Sequence, residues 1–149
     1  MKNNFDKAVK MLIKQNQENR KNFHSKIYDF NFPSMFISEL CTVHVNIGRA
    51  TGKTQFIKNN ATKDDLVIAY SRNVYEDCSK HNYHILFAQG SNISHFTDAI
   101  RGLRIKNIYI DEPELVCKTL GIKLEEIYNI IWNRHLFIDE LPTFILLGK

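Results

Sequence analysis

The sequence predicts an α/β domain, a mainly parallel five-stranded sheet sandwiched by helices and preceded by a helical extension. Three observations support that class. Five short apolar, β-prone runs recur along the chain: CTVHVNI (41–47), LVIAY (66–70), YHILFA (83–88), NIYI (107–110) and TFILL (143–147). The runs are continuous rather than alternating, as suits strands buried on both faces. Most of the intervals between them can hold a crossover helix, which a parallel connection requires.

At 149 residues the chain is one domain's worth, enough for a single core. Neither an internal repeat nor a Gly/Ser-rich linker divides it, so 1–149 reads as one unit, with 1–39 as extension and 40–149 as core. Hydrophobic residues at 44% and charged residues at 24% exclude a disordered chain. No apolar run approaches the roughly 18 residues of a membrane span. The polar start MKNNFDKAVK lacks the apolar core of a signal peptide, so a cytoplasmic protein with no membrane partner is expected. Cys41, Cys78 and Cys117 form no CxxC pair and read as reduced, mostly structural thiols. A net charge of +4 permits a phosphate-bearing partner without demanding nucleic acid.

Taken in order, Phe5, Val9, Leu12 and Ile13 fall at helical spacing among polar residues, which predicts a docking helix over residues 3 to 21 with one narrow apolar face. The aromatic-rich stretch 22–40, broken by Pro33, reads as a connector and a short helix wrapping the core. Directly after the first strand stands Gly48-Arg49-Ala50-Thr51-Gly52-Lys53-Thr54, then QFIKNN, which can open a helix. Strand, glycine-bearing loop and helix in that order suit phosphate binding. Backbone N–H groups of the loop and helix N-terminus can ring the phosphates, Lys53 adds a mobile charge, and the Thr54 hydroxyl can ligate Mg²⁺. Gly52 allows the backbone to approach the anion closely. The loop is one residue short of the common spacing, because Ile47 stands where the first glycine would be.

Such a loop needs acidic residues at the end of a neighbouring buried strand. Two pairs compete, Asp111-Glu112 after Ile108-Tyr109-Ile110 and Asp139-Glu140 after Leu136-Phe137-Ile138. The first is followed by residues 113–132, which read as helix and leave room for a parallel crossover. After the second, only Leu141 and Pro142 precede the last strand, so Asp139 and Glu140 read as a turn. An acidic pair at a strand end is ordinarily a solvated cap; the loop upstream is what assigns Asp111 to Mg²⁺, through water, and Glu112 to the base that orients a water.

The short loop G-R-x-x-G-K-T resembles the phosphate loop of phage terminase large-subunit ATPases and their helicase-like relatives. Ile100-Arg101-Gly102-Leu103-Arg104 before NIYIDEPELV is similar to the approach to their acidic motif, LVIAYSRN (66–73) to their second strand, and FILLG (144–148) to the strand of their coupling motif. The resemblance covers about residues 40–148 and implies a P-loop fold, with ATP and Mg²⁺ as cofactors and ATP hydrolysis driving duplex DNA, in host cytoplasm if the origin is phage. It further implies a transition-state role for Arg49. Two departures matter. The chain ends at Lys149, so no nuclease domain is expected, and Gly148-Lys149 follows the last strand where the family has a small hydroxyl or amide residue.

Other candidates are weaker. Cys78, His81 and His84 are spaced three apart but want a fourth ligand, so packing is the expectation. Arg101, Arg104 and Arg134 each read as solvated, with Arg101 and Arg104 placed near the phosphate edge of the sheet. Trp132, Ile127, Ile130 and Ile131 read as core or contact surface. The leading expectation is thus an NTP hydrolase whose partners include nucleotide, duplex DNA, and a second copy or another protein supplying an arginine. A small phosphotransferase and a non-hydrolysing interaction module are the alternatives, the former disfavoured by the single arginine, Arg134, between the acidic pair and the last strand.

Overall fold

The computed structural model describes residues 4–23, 33–46, 48, 52–80, 84–90, 93–101, 104–134 and 141–149. Ile47, Arg49, Ala50, Thr51, His81, Gly102, Leu103 and the acidic pair Asp139-Glu140 lie outside them, as does the side chain of Arg134. Helix α1 spans Asn4–Phe23, α2 Pro33–Leu40, β1 Thr42–Val45, α3 Lys53–Asn60, β2 Leu66–Ala69 and α4 Arg72–Ser79. They are followed by β3 His84–Phe87, α5 Ile93–Ile100, β4 Asn107–Asp111, α6 Pro113–Leu120, α7 Leu124–Arg134 and β5 Thr143–Leu147.

The five strands form one wholly parallel sheet in the order β1-β5-β4-β2-β3. Both faces of the inner strands are covered, which explains why β2, β4 and β5 run apolar without alternation, whereas the edge strands β1 and β3 leave His44 and His84 exposed. Leu66, Ile68, Ile108, Ile110, Phe144 and Leu146 face one core, packed by α2, α5, α6 and α7. Val67, Ala69, Tyr109, Ile145 and Leu147 face the other, packed by α1, α3 and α4. Right-handed crossovers account for the division. Connections that move along the order toward β3 carry α3 and α4 on one face, and those that return carry α5, α6 and α7 on the other.

The helices follow local chemistry. Pro33 opens α2, where a missing backbone N–H costs nothing. Residues 113–132, expected as one helix, are two: Gly121 takes a left-handed φ of 69° and closes α6 before α7 begins. Helix α1 buries Phe5 and Val9, and Phe5 meets Phe56 edge-on at 6.0 Å. It is also tethered by polar bonds, Asn16 Nδ2 donating to Thr42 O at 3.3 Å and Arg20 to Leu141 O at 2.7 Å and Thr143 Oγ1 at 2.6 Å. Trp132 packs on Phe36 in the core with Ile127 and Ile131. Asp65, 1% exposed, joins the starts of β2 and β4 by accepting from Asn107 N at 3.1 Å and Asn107 Nδ2 at 3.0 Å. No helix among the described residues is long and apolar enough to cross a membrane.

Candidate functional site

In an open parallel sheet, ligands bind beyond the C-terminal ends of strands at the point where consecutive connections leave on opposite faces. Here β1 leads to α3 on one face and β4 leads to α6 on the other, with the end of β5 between them. A cleft of about 570 Å³ opens at this edge, lined among others by Gly48, Lys53, Thr54, Asp111, Glu112 and Gly148.

Gly48 and Gly52 both have positive φ, 93° and 92°, a conformation glycine adopts without steric cost. Gly52 is the N-cap of α3, and no side chain caps that helix start. Two more helix starts face the cleft. Ser71, the N-cap of α4, accepts from Val74 N at 3.2 Å, and Glu112 is the N-cap of α6. Three helix N-termini at one edge favour an anion there.

Lys53 lies 12% exposed at the start of α3, and its Nζ donates to Glu112 Oε1 at 2.7 Å. These residues are 59 positions apart in sequence. Glu112 has φ 53°, the one positive φ at a non-glycine among the described residues. A side-chain-bearing residue held in this region costs of order 1–3 kcal/mol, and such outliers cluster at functional sites. The conformation is secured on both sides: Glu112 N donates to Leu147 O at 2.9 Å, and Val116 N donates to Glu112 O at 3.0 Å.

Asp111 closes β4 and is 5% exposed. Burial, with repulsion from Glu112 adding and the charge of Lys53 opposing, pushes its carboxyl pKa from 3.8 to about 6. A carboxylate in that state gains from any further cation. Among the described residues no group of three or more His, Cys, Asp or Glu side chains could hold a metal. A cation at this cleft would therefore draw on few protein donors, Thr54 and Asp111, and on oxygens carried by a ligand.

Comparisons of the chain with protein-family models, with curated proteins and with solved structures find no match.

The fold thus brings Gly48, Gly52, Lys53, Thr54, Asp111 and Glu112 to one edge. It does not bring all the expected arginines there. Arg104 lines a different cavity with Asn107 and Thr143, the first residues of β4 and β5, so it belongs to the strand-start edge. Arg101, just past the C-terminus of α5, pairs with Asp98 at 3.5 Å. The reason is geometric: a crossover helix runs back along the sheet, so residues between its end and the next strand gather at the strand starts. Cys78 is buried in α4 and His84 opens β3 with its side chain exposed. Residues not offered from sequence as site candidates also meet the cleft, notably Tyr70, Ser71 and Glu114, as does Lys149, noted there only as a departure from the family's pattern.

Proposed function

We propose that this chain is a P-loop nucleoside triphosphatase, binding ATP or a related nucleotide with Mg²⁺ and hydrolysing it. The observation that carries the reading is the meeting of Lys53 and Glu112 at 2.7 Å beside Asp111 and Thr54, in a cleft faced by three helix starts. A cation and a carboxylate so placed have an exchange available. When a triphosphate enters, the Lys53 ammonium turns to its β- and γ-oxygens, and Glu112 is released to a water. That water's oxygen bonds to the γ-phosphorus as the bridging P–O bond breaks, and the bridging electrons leave with the diphosphate. Its proton passes to Glu112 and on to the phosphate product.

The Thr54 hydroxyl and Asp111 carboxylate suit Mg²⁺, which binds through one or two protein oxygens and completes its shell with water and phosphate. When bound, the ion would neutralise charge on the phosphates. Duplex DNA is the partner proposed on the terminase resemblance of the loop and acidic strand.

The test is binding and turnover of Mg-ATP and Mg-GTP by the wild type, Lys53→Ala and Glu112→Gln. Lys53→Ala should weaken binding, while Glu112→Gln should keep the nucleotide and lose at least 10²-fold in turnover, as removal of a general base does. Equal affinity of wild type and Lys53→Ala would remove the phosphate site, and tight binding without turnover by the wild type would leave a binding module.

A further inference from the structure

The two oxygens of Glu112 are held differently. Oε1 takes the ammonium of Lys53 at 2.7 Å, a partner that a triphosphate would draw away. Oε2 accepts from the backbone N–H of Lys149 at 3.3 Å, a partner with nowhere to go. Residues 148 and 149 are anchored by three further bonds. Gly148 N donates to Val45 O at 2.9 Å, Glu114 N donates to Lys149 O at 2.8 Å, and His44 Nε2 lies 2.7 Å from Gly148 O. The segment therefore joins β1, β5 and the first turn of α6.

Gly148 fits this position for two reasons. Its φ is 108°, a conformation that residues with side chains rarely adopt, and a Cβ there would lie 2.5 Å from Glu112 Oε2 and 2.8 Å from Oε1. Any side chain at 148 would occupy the space the carboxylate fills.

We infer that Gly148 and Lys149 form a backbone seat that positions the Glu112 carboxylate, keeping Oε2 fixed while Oε1 passes from Lys53 to the attacking water. The inference rests on the hydrolase reading and names positioning residues for it. His44 acts at one remove, by holding the Gly148 carbonyl and with it the orientation of the Gly148–Lys149 peptide. The seat works through the absence of a side chain, so its contribution should appear in kcat and not in nucleotide affinity. Displacing a reacting group by about an ångström costs on the order of 10²-fold in rate.

The experiment is steady-state kinetics with Mg-ATP, with calorimetric binding, on the wild type, Gly148→Ala, Glu112→Asp, the Gly148→Ala/Glu112→Asp double variant, His44→Ala and His44→Gln. Gly148→Ala should bind nucleotide as the wild type does and lose on the order of 10²-fold in kcat. In the double variant the shorter acid leaves room for the new Cβ, so its kcat should equal that of Glu112→Asp alone. A multiplicative loss would mean that Gly148 acts elsewhere and would overturn the seat. Because alanine at this φ is strained whatever the space, His44 supplies a second handle on an exposed edge residue. His44→Ala should lower kcat with KM unchanged, and His44→Gln, which can still donate to the carbonyl, should recover it. If the wild type turns over ATP and Gly148→Ala and His44→Ala match its rate, the seat is refuted while the hydrolase stands. If the wild type neither binds nor hydrolyses nucleotide, both fall.

Discussion

At the scale of single residues, the shift of Asp111 from 3.8 to about 6 has a definite sign for stability. The folded protein holds this proton up to about pH 6, while the unfolded chain releases it near 3.8. Stability from this group is therefore full below the unfolded value and lost as pH rises through the folded one, a penalty of about 3 kcal/mol at neutral pH. Asp111→Asn should stabilise the ligand-free protein at pH 7.5 by up to about that amount, and the gain should vanish below about pH 4. Urea unfolding of both proteins at the two pH values measures it. An equal gain at both would show that ionisation is not its source. The site residues differ in how far sequence could reveal them. Lys53 and Thr54 are legible because one strand-loop-helix unit carries their spacing, and Asp111 and Glu112 because a buried strand ends on them. Glu112 as the partner of Lys53, and Gly148 beneath it, are not legible. Their contacts depend on β5 lying between β1 and β4, which nothing local encodes.

Among the elements, α2 and α1 make a contrast. Phe36, on α2, is fully buried against Trp132 of α7, whereas Met11, on α1, is 72% exposed. Phe36→Ala should cost about 3–5 kcal/mol, and Met11→Ala should stay within about 0.5 kcal/mol. Thermal melts of the two variants decide the matter; a wild-type melt for Phe36→Ala would make α2 an appendage rather than a wall of the core. All five strands are legible as apolar runs, most plainly β2, β4 and β5, where burial on both faces erases alternation, and less plainly the edge strands β1 and β3, whose His44 and His84 stay exposed. The short helix after Pro33 was legible in outline, but not its place in the core, since three residues, Phe36, Ile37 and Leu40, carry that contact. The break at Gly121 is not legible, because the apolar spacing resumes in α7 with Leu124, Ile127 and Tyr128. The tethers of α1, from Asn16 and Arg20 to β1, Leu141 and the start of β5, leave no periodic trace in sequence.

For the molecule as a whole, the two edges of the sheet divide the charge. Arg20, Lys21, Arg104 and Lys106 line the cavity at the strand starts, whereas the described residues lining the cleft at the strand ends include Lys53 and Lys149 but no arginine. Phosphoryl transfer benefits from a guanidinium on the γ-phosphate, worth about 10³-fold or more when a partner supplies it. Arg49 stands beside the cleft in sequence but lies outside the described residues, so a second source is open to experiment. If the clamp is completed by another copy of the chain, turnover per chain should rise with protein concentration and level off where light scattering shows the assembly complete. If duplex DNA organises that assembly, adding it should move the rise to lower concentration, and raised salt should cancel the effect by screening the phosphate contacts. Arg49→Ala separates the internal from the external source when mixed with an excess of Glu112→Gln chains, which cannot turn over but retain their arginine. Recovery of hydrolysis by the mixture points to an arginine supplied across an interface, since each inactive partner lends only what the other lacks. A wild-type rate that is independent of dilution and of DNA in a confirmed monomer, with no recovery on mixing, would overturn partner dependence and leave Arg49 acting within its own chain.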